Sequence, residues 1–254
     1  MTPITDIFRL DQRRILVTGA SSGLGRHFAL TLARAGAELI VAARRQDRLA
    51  ALVDEIAALG SQASAVTLDV TDPLSVEQAF VQIGPLDVLI NNAGVTTTRP
   101  FLEQSEADWQ QVMDTNLTGY WRVARQAARS MVDSDRGGCI VNIASILGER
   151  VAGGVAPYSV SKAGVIQLTR TLALELARYR IRANTLLPGY IVTELNSEFL
   201  QSPAGDRLKN RIPSRRFGSP EDLDGPLLLL ASDASTHMSG AVIAVDGGHL
   251  VSSL

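Results

Sequence analysis

"RILVTGASSGLG", residues Arg14 to Gly25, decides the fold. It opens as a short apolar run rich in β-branched residues, breaks at a glycine cluster, and leads directly into the helical spacing of "LGRHFALTLARA". The glycines, Gly19, Gly23 and Gly25, stand in the order G-x-x-x-G-x-G. A strand that turns through glycines into a helix lets the backbone approach a pyrophosphate, whose charge then faces the helix N-terminus. A tight strand-to-helix turn can also need glycine with no ligand present. Here the turn lies in the first strand-helix unit of the chain, where open parallel sheets bind nucleotides.

Six more apolar runs follow: "ELIVAA" from Glu38, "ASAVTL" from Ala63, "DVLINN" from Asp87, "CIVNIA" from Cys139, "ANTLL" from Ala183 and "AVIAV" from Ala241. Nearly every position in them is apolar, as in strands covered on both faces. Helix-start chemistry separates them, with Asp72-Pro73 and Ser219-Pro220 as cap-and-proline pairs and Ser105 with Asp108 as a capping box. The pattern predicts an α/β fold. It is a single doubly wound Rossmann-type domain over residues 1–254, with a mostly parallel, seven-stranded sheet and helices on both faces. Residues 191–219, with Pro203, Gly205, Pro213 and Gly218, break the alternation and suit a flap over a substrate. Gly225-Pro226 should kink the helix that begins at Ser219.

The 254 residues are 46% hydrophobic and carry a net charge of −2, which favours neither nucleic acid nor an anionic membrane as partner. No apolar stretch approaches a membrane span and no signal peptide is read at the start, so a cytoplasmic protein is expected. The single cysteine, Cys139, excludes an internal disulfide and reads as inert core. His27, His237 and His249 show no metal-ligand spacing, and no metal is expected.

The second run ends in Ala42 and Ala43, followed by Arg44 and Arg45. NAD-binding sheets place a carboxylate near that point for the ribose 2′-hydroxyl; its absence, beside two guanidinium groups, favours NADP(H). The arginines could instead be solvated charges before a helix that Asp47 caps.

"PYSVSKAG" sets Tyr158 and Lys162 four residues apart, on one face if helical. Alone, that pair reads as a core tyrosine beside a snorkelling lysine; in company with the glycine loop and Ser145 it reads as an acid and its tuning cation. A phenol moved from a pKa near ~10 to about 7 requires roughly 4 kcal/mol, which a cation at ~4 Å in a dielectric of ~20 supplies.

Together, "TGASSGLG", "LDVTD" (Leu68 to Asp72), "NNAG" (Asn91 to Gly94), "TN" (Thr115, Asn116), "VNIAS" (Val141 to Ser145), "YSVSK" (Tyr158 to Lys162), "LPGYIVTE" (Leu187 to Glu194) and "VDGG" (Val245 to Gly248) resemble the short-chain dehydrogenases/reductases, in order and over nearly the whole chain. The resemblance implies a hydride transfer between a nicotinamide cofactor and a ketone or secondary alcohol. It implies Asn116, Ser145, Tyr158 and Lys162 as catalytic residues. Ser145 would orient the substrate oxygen, Tyr158 would exchange the proton, Lys162 would hold the cofactor ribose, and Asn116 would support a water. It implies a cofactor held by Gly19, Ser21, Ser22, Gly23, Leu24 and Gly25, by Arg44 and Arg45, by Asp69 and Val70 at the adenine, and by Asn92, Ala93 and Gly94. Pro188, Gly189, Ile191 and Thr193 would lie at the nicotinamide end, with Tyr158 and Lys162. Asp69 could instead cap a loop, and Asn91-Asn92 could form a turn.

Ser22 stands where many NADP-linked members have a basic residue, which keeps NAD(H) open. Val95, Leu147, Val151, Ala152 and Leu195 should shape an apolar pocket for a 3-oxoacyl thioester or other small carbonyl compound. Arg136, Arg178 and Arg180 could greet an acyl-carrier protein or be ordinary helix-end charges. The small residues Ser159, Ser161, Ala163 and Gly164 invite close helix packing, and the resemblance implies a homo-oligomer, tetramer or dimer. An NAD(H)-linked sugar or polyol dehydrogenase is the alternative, as is a catalytically silent nucleotide-binding scaffold.

Overall fold

The computed structural model describes residues 6–194 and 196–252. Seven strands form one sheet: β1 (Arg14–Thr18), β2 (Glu38–Ala43), β3 (Ala63–Thr67), β4 (Val88–Asn91), β5 (Gly138–Ile143), β6 (Ile181–Pro188) and β7 (Val242–Val245). Their spatial order is β3-β2-β1-β4-β5-β6-β7, and every neighbouring pair is parallel. Parallel neighbours need crossovers, and α1 (Gly23–Arg34), α2 (Gln46–Ala58), α3 (Pro73–Ile83), α4 (Glu106–Met113), α5 (Gly119–Asp133) and α6 (Ala156–Leu176) supply them. Two short helices, α7 (Ser197–Leu200) and α8 (Pro203–Lys209), and then α9 (Asp224–Ala231) lie between β6 and β7. Among the described residues, no helix is long and apolar enough to cross a membrane.

Two apolar layers clothe the sheet. Phe28 and Leu32 of α1, Leu49 and Ile56 of α2, and Leu227 and Leu230 of α9 cover one face with Ile15, Val17 and Val141. Val76 and Ile83 of α3 and Val123, Ala127 and Met131 of α5 cover the other with Leu16, Leu89 and Ile140. Strands β1, β2, β4 and β5 are buried at almost every position, as the sequence predicts. β3 departs: it is mostly exposed, because it is an edge strand with one neighbour and incomplete cover.

Cap chemistry is realised at the expected places. The Asp72 side chain accepts from the Leu74 amide with Pro73 in the first turn, and Ser105 and Asp108 form a reciprocal capping box. Asp47 lies in the first turn of α2 rather than at its cap, which is Arg45. The long helix expected from Ser219, bent at Pro226, is instead a 3₁₀ helix (Pro220–Leu223) followed by α9. Pro226 then falls in the first turn of α9, where an amide has no partner inside the helix, and removes no hydrogen bond.

A buried polar row crosses the sheet near its carboxyl edge. Thr18 on β1 donates to Asn91 on β4 at 3.5 Å, Asn91 Nδ2 donates to Asn142 Oδ1 on β5 at 3.1 Å, and Asn142 Nδ2 donates to Thr169 Oγ1 on α6 at 2.8 Å. Such a row fixes the strand ends relative to α6 because slipping any one of them would orphan buried donors.

Candidate functional site

The carboxyl ends of the strands open onto a cavity of about 760 Å³. Its floor begins with the glycine loop. Gly19 adopts φ +67° and Gly23 φ +54°, conformations that side chains disfavour. A Cβ on Gly19 would lie 2.8 Å from Ala93 Cα, and one on Gly25 would lie 2.3 Å from the Gly19 carbonyl oxygen. Two glycines therefore serve close backbone approach, and the loop presents the N-terminus of α1 to the cavity. Asn92 ties this loop to β4: its Nδ2 donates to the Thr18 carbonyl at 3.0 Å and its amide donates to Thr18 Oγ1 at 2.9 Å.

Ser21, Ser22, Leu24, Arg44, Arg45, Asp69, Val70, Ala93 and Gly94 line the same cavity, with Pro188, Gly189, Ile191 and Thr193 at its other end. Arg45 Nη2 donates to Ser21 Oγ at 2.8 Å and to Ser22 Oγ at 2.9 Å, which aims the guanidinium at the glycine loop. Arg44 is exposed beside it. Asp69 caps its own loop, accepting from the Thr71 amide at 2.9 Å and the Thr71 hydroxyl at 2.7 Å, and still faces the cavity. Val70 packs on Gly119, where a Cβ would come within 2.8 Å of Val70 Cγ2.

The reacting cluster stands opposite. Ser145, two residues past β5, caps the 3₁₀ turn Ile146–Gly148, Tyr158 and Lys162 rise from the first turns of α6, and all three line the cavity. The Ser145 hydroxyl faces the Tyr158 phenol and favours its ionised form. Lys162 Nζ lies 5.6 Å from the centre of the Tyr158 ring and donates to the Ile143 carbonyl at 2.9 Å. Asn116 lies behind this group in a π-helical turn (Asp114–Thr118), a form concentrated at functional sites. Its side chain is engaged at both ends, accepting from the Val95 amide and donating to the Val95 carbonyl, each at 2.8 Å, and donating to Ser161 Oγ at 3.2 Å. Those bonds hold the loop after β4. Gly164 admits Leu117 of the π turn against α6, since a Cβ there would stand 2.9 Å from Leu117 Cδ2.

One expectation from the sequence fails here. Burial pushes the Tyr158 phenol up from its ordinary value, against the Ser145 hydrogen bond, instead of leaving it near neutrality. Burial also pushes Lys162 down to about 7. Both charged forms lose hydration, and the ammonium bonds β5 and α5 rather than the phenol oxygen.

That depression has a consequence for stability. An unfolded lysine titrates near its ordinary 10.5 and the folded one near 7, so the unfolded chain holds the extra proton between those values. Stability therefore rises with pH across that window, and the penalty of a buried ammonium is fully present below it. Between pH 7 and 9 the gain is about 2 kcal/mol, or roughly 4–8 °C in Tm. Lys162→Met should flatten this rise; parallel Tm profiles for variant and wild type would contradict the burial.

Of the residues expected to shape an apolar pocket, Val95, Leu147 and Ala152 line the cavity. Val151 is 88% exposed and does not line the cavity, and Leu195 lies outside the described residues. Thr96, Thr98, Tyr190, Asn196, Phe199 and Leu200 line it instead, so the substrate end is mixed rather than apolar. Arg136 and Arg180 precede the amino ends of β5 and β6, at the edge of the sheet away from Ser145. They pair with Asp87 at 3.2 Å and Asp135 at 2.6 Å, and Arg178 lies over the Tyr179 ring, as ordinary terminal charges would. Cys139 is buried and unbonded to any other thiol. Among the described residues, no group of three or more His, Cys, Asp or Glu is arranged around a metal position.

A nucleotide-type glycine loop facing a serine, tyrosine and lysine across one cleft defines an oxidoreductase of the dinucleotide-binding α/β class. A family model described as enoyl-(acyl carrier protein) reductase matches residues 19–249. The chain belongs to the short-chain dehydrogenase/reductase family and is an enzyme of CH–OH and C=O chemistry. It is 39% identical to gluconate 5-dehydrogenase of Gluconobacter oxydans over 97% of this chain and 98% of that one. It is 37% identical to a 3-oxoacyl-[acyl-carrier-protein] reductase of Thermotoga maritima, over 96% and 100%. The solved structure of a gluconate 5-dehydrogenase from Burkholderia cenocepacia, in complex with NADP and tartrate, superposes with a TM-score of 0.95 at 36% identity, covering 99% of this chain and all of that one.

Proposed function

We propose that the chain is an NADP(H)-dependent reductase of a small polyhydroxylated ketone, working in reverse as a secondary-alcohol dehydrogenase. The observation that carries this is the convergence of Ser145, Tyr158 and Lys162 on the cavity that the glycine loop and Arg45 also line. The loop, whose backbone packs closely because Gly19 and Gly25 carry no Cβ and which presents the N-terminus of α1, fits a pyrophosphate, and Arg44 and Arg45 fit a 2′-phosphate. A bound nicotinamide ring supplies or takes the hydride. Ser145 donates a hydrogen bond to the substrate oxygen, and Tyr158 delivers the proton to it. A phenol held above its ordinary pKa is protonated at neutral pH and ready to act as acid, which suits the reductive direction. Lys162, which lines the cavity and spends two N–H groups on Tyr120 and Ile143, has a third for the cofactor ribose, and Asn116 fixes the loop behind it.

Hydroxyl and amide groups at the substrate end, from Thr96, Thr98, Tyr190 and Asn196, support a sugar acid or polyol of the kind named for the Gluconobacter relative. The reading with a 3-oxoacyl thioester is favoured by Leu147, Phe199 and Leu200 on the same wall. Residues 191–219 would cover this end as part of one domain. Their excursion is pinned at its base by the Ile191–Gly218 bridge and by α7 and α8. Exposed Trp109, Trp121 and Val160 on α4, α5 and α6 support association between copies.

The test is loss of nicotinamide absorbance with keto-sugar acids, cyclic ketones and 3-oxoacyl thioesters, each with NADPH and NADH. Dinucleotide binding with no turnover on any of them would favour the silent scaffold. Arg45→Ala should raise KM for NADPH about tenfold or more and leave NADH nearly unchanged, since one charge-assisted fork to a phosphate is worth about that much. An equal rise for both cofactors would remove the 2′-phosphate role.

A further inference from the structure

Lys162 is held by a second tyrosine. Of the chain's 24 basic residues only Lys162 and Lys209 are lysines, so an amine has been kept at this buried position in a protein that otherwise uses arginine. Lys162 is 3% exposed. Besides the Ile143 carbonyl, its Nζ donates to the Tyr120 hydroxyl at 3.3 Å and sits 4.8 Å from the Tyr120 ring centre. Tyr120, on α5, is 1% exposed and donates its own O–H to the same Ile143 carbonyl at 2.9 Å. The hydroxyl proton is thereby committed, and the oxygen's lone pairs face the ammonium. The titratable groups at Nζ are Tyr120 from α5 and Tyr158 from its own helix, while β5 offers backbone. No carboxylate contributes to the proton equilibrium of Lys162, in which burial is the cause.

We propose that Tyr120 is a positioning residue for Lys162. By accepting from Nζ while donating to Ile143, it keeps the charged amine hydrogen-bonded in a dry site and leaves one N–H for the cavity. The proposal rests on the reading of Tyr158 and Lys162 given above. The position is not part of the Ser-Tyr-Lys cluster, and neither charge nor spacing in the sequence marks it.

The test uses protein labelled with [ε-¹³C]lysine, which gives two resonances. Lys209, in a surface pair with Asp206 at 2.7 Å, is the internal reference. Wild-type Lys162 should titrate near 7. Tyr120→Phe keeps the ring and removes one acceptor for the ammonium, so the Lys162 midpoint should fall by about one pH unit, a tenfold change. The alkaline limb of kcat/KM for NADPH-driven reduction of 5-keto-D-gluconate should fall with it. A merely structural tyrosine would lower the rate at every pH and leave the limb in place. An unmoved Lys162 midpoint in the folded variant overturns the proposal. So does a wild-type Lys162 that titrates near the ordinary 10.5, a result that needs no variant. A shifted midpoint with an unchanged pH–rate profile would uphold the Tyr120 contact and overturn the role of Lys162 in turnover.

Discussion

Tyr158→Phe is expected to lower kcat by about 10²- to 10⁴-fold and to leave dinucleotide binding nearly unchanged. That range is what one positioned proton donor supplies. The phenylalanine ring fills the same space at the start of α6, so the glycine loop and Arg45, which lie across the cavity, are not disturbed. The hydroxyl is the group that Ser145 faces, and its removal leaves the substrate oxygen with a hydrogen-bond donor but no acid of matched position. The measurement is single-turnover reduction together with an independent binding titration. Turnover kept within a few-fold would mean that another cavity group, with Tyr190 the nearest in kind, carries the proton. Binding lost in parallel with turnover would mean that Tyr158 is structural.

Gly25→Ala is the second large effect, and Gly23→Ala is its control. Gly23 has an unusual φ of +54° but open space where a Cβ would go, so alanine there meets only the backbone penalty of about 1–2 kcal/mol. Gly25 is unexceptional in φ but packed: a Cβ would stand 2.3 Å from the Gly19 carbonyl oxygen and 2.6 Å from Asn92 Nδ2. Neither can yield alone, because Asn92 Nδ2 is already bonded to the Thr18 carbonyl. Relieving the overlap must move the loop off the N-terminus of α1. Overpacking of this kind costs about 1–3 kcal/mol or more, and the shift falls on the surface that would meet a pyrophosphate. Gly25→Ala should therefore lose dinucleotide affinity by about ten- to a hundredfold. If Gly23→Ala proved the more damaging for binding, the packing account would be wrong.

Much of this was legible because the fold repeats one rule. "RILVTG", "DVLINN" and "CIVNIA" each match a strand within a residue or so at either end, since buried parallel strands must be apolar throughout. The caps at Asp72 and Ser105 were legible for a local reason, as each satisfies amides within three residues. The cavity walls from Gly19 to Thr193 came from a resemblance of ordered motifs, not from physics applied to any one of them. What stayed hidden depends on neighbours distant in the chain. The exposure of β3 follows from its place at the edge, which strand order alone decides. The proton equilibrium of Lys162 follows from the elements packed around it, and Tyr120, 42 residues away, gives no sign in the sequence that it points at that amine. The π turn around Asn116 has no composition signal.

The strand order also sets the sequence in which the ribosome releases a usable surface. The first three strands can assemble as soon as they emerge, but they leave the oldest of them, β1, with one side bare. Nothing can close that side until residues 88–91 arrive, after which each newly made strand becomes the open rim and waits for the next. From β4 onward synthesis works outward in one direction, and the vulnerable rim on that side travels with it until β7 arrives. A pause in translation after β5 or β6 would hold a nascent chain with a complete nucleotide half and a sticky border, the point at which a chaperone would be needed most.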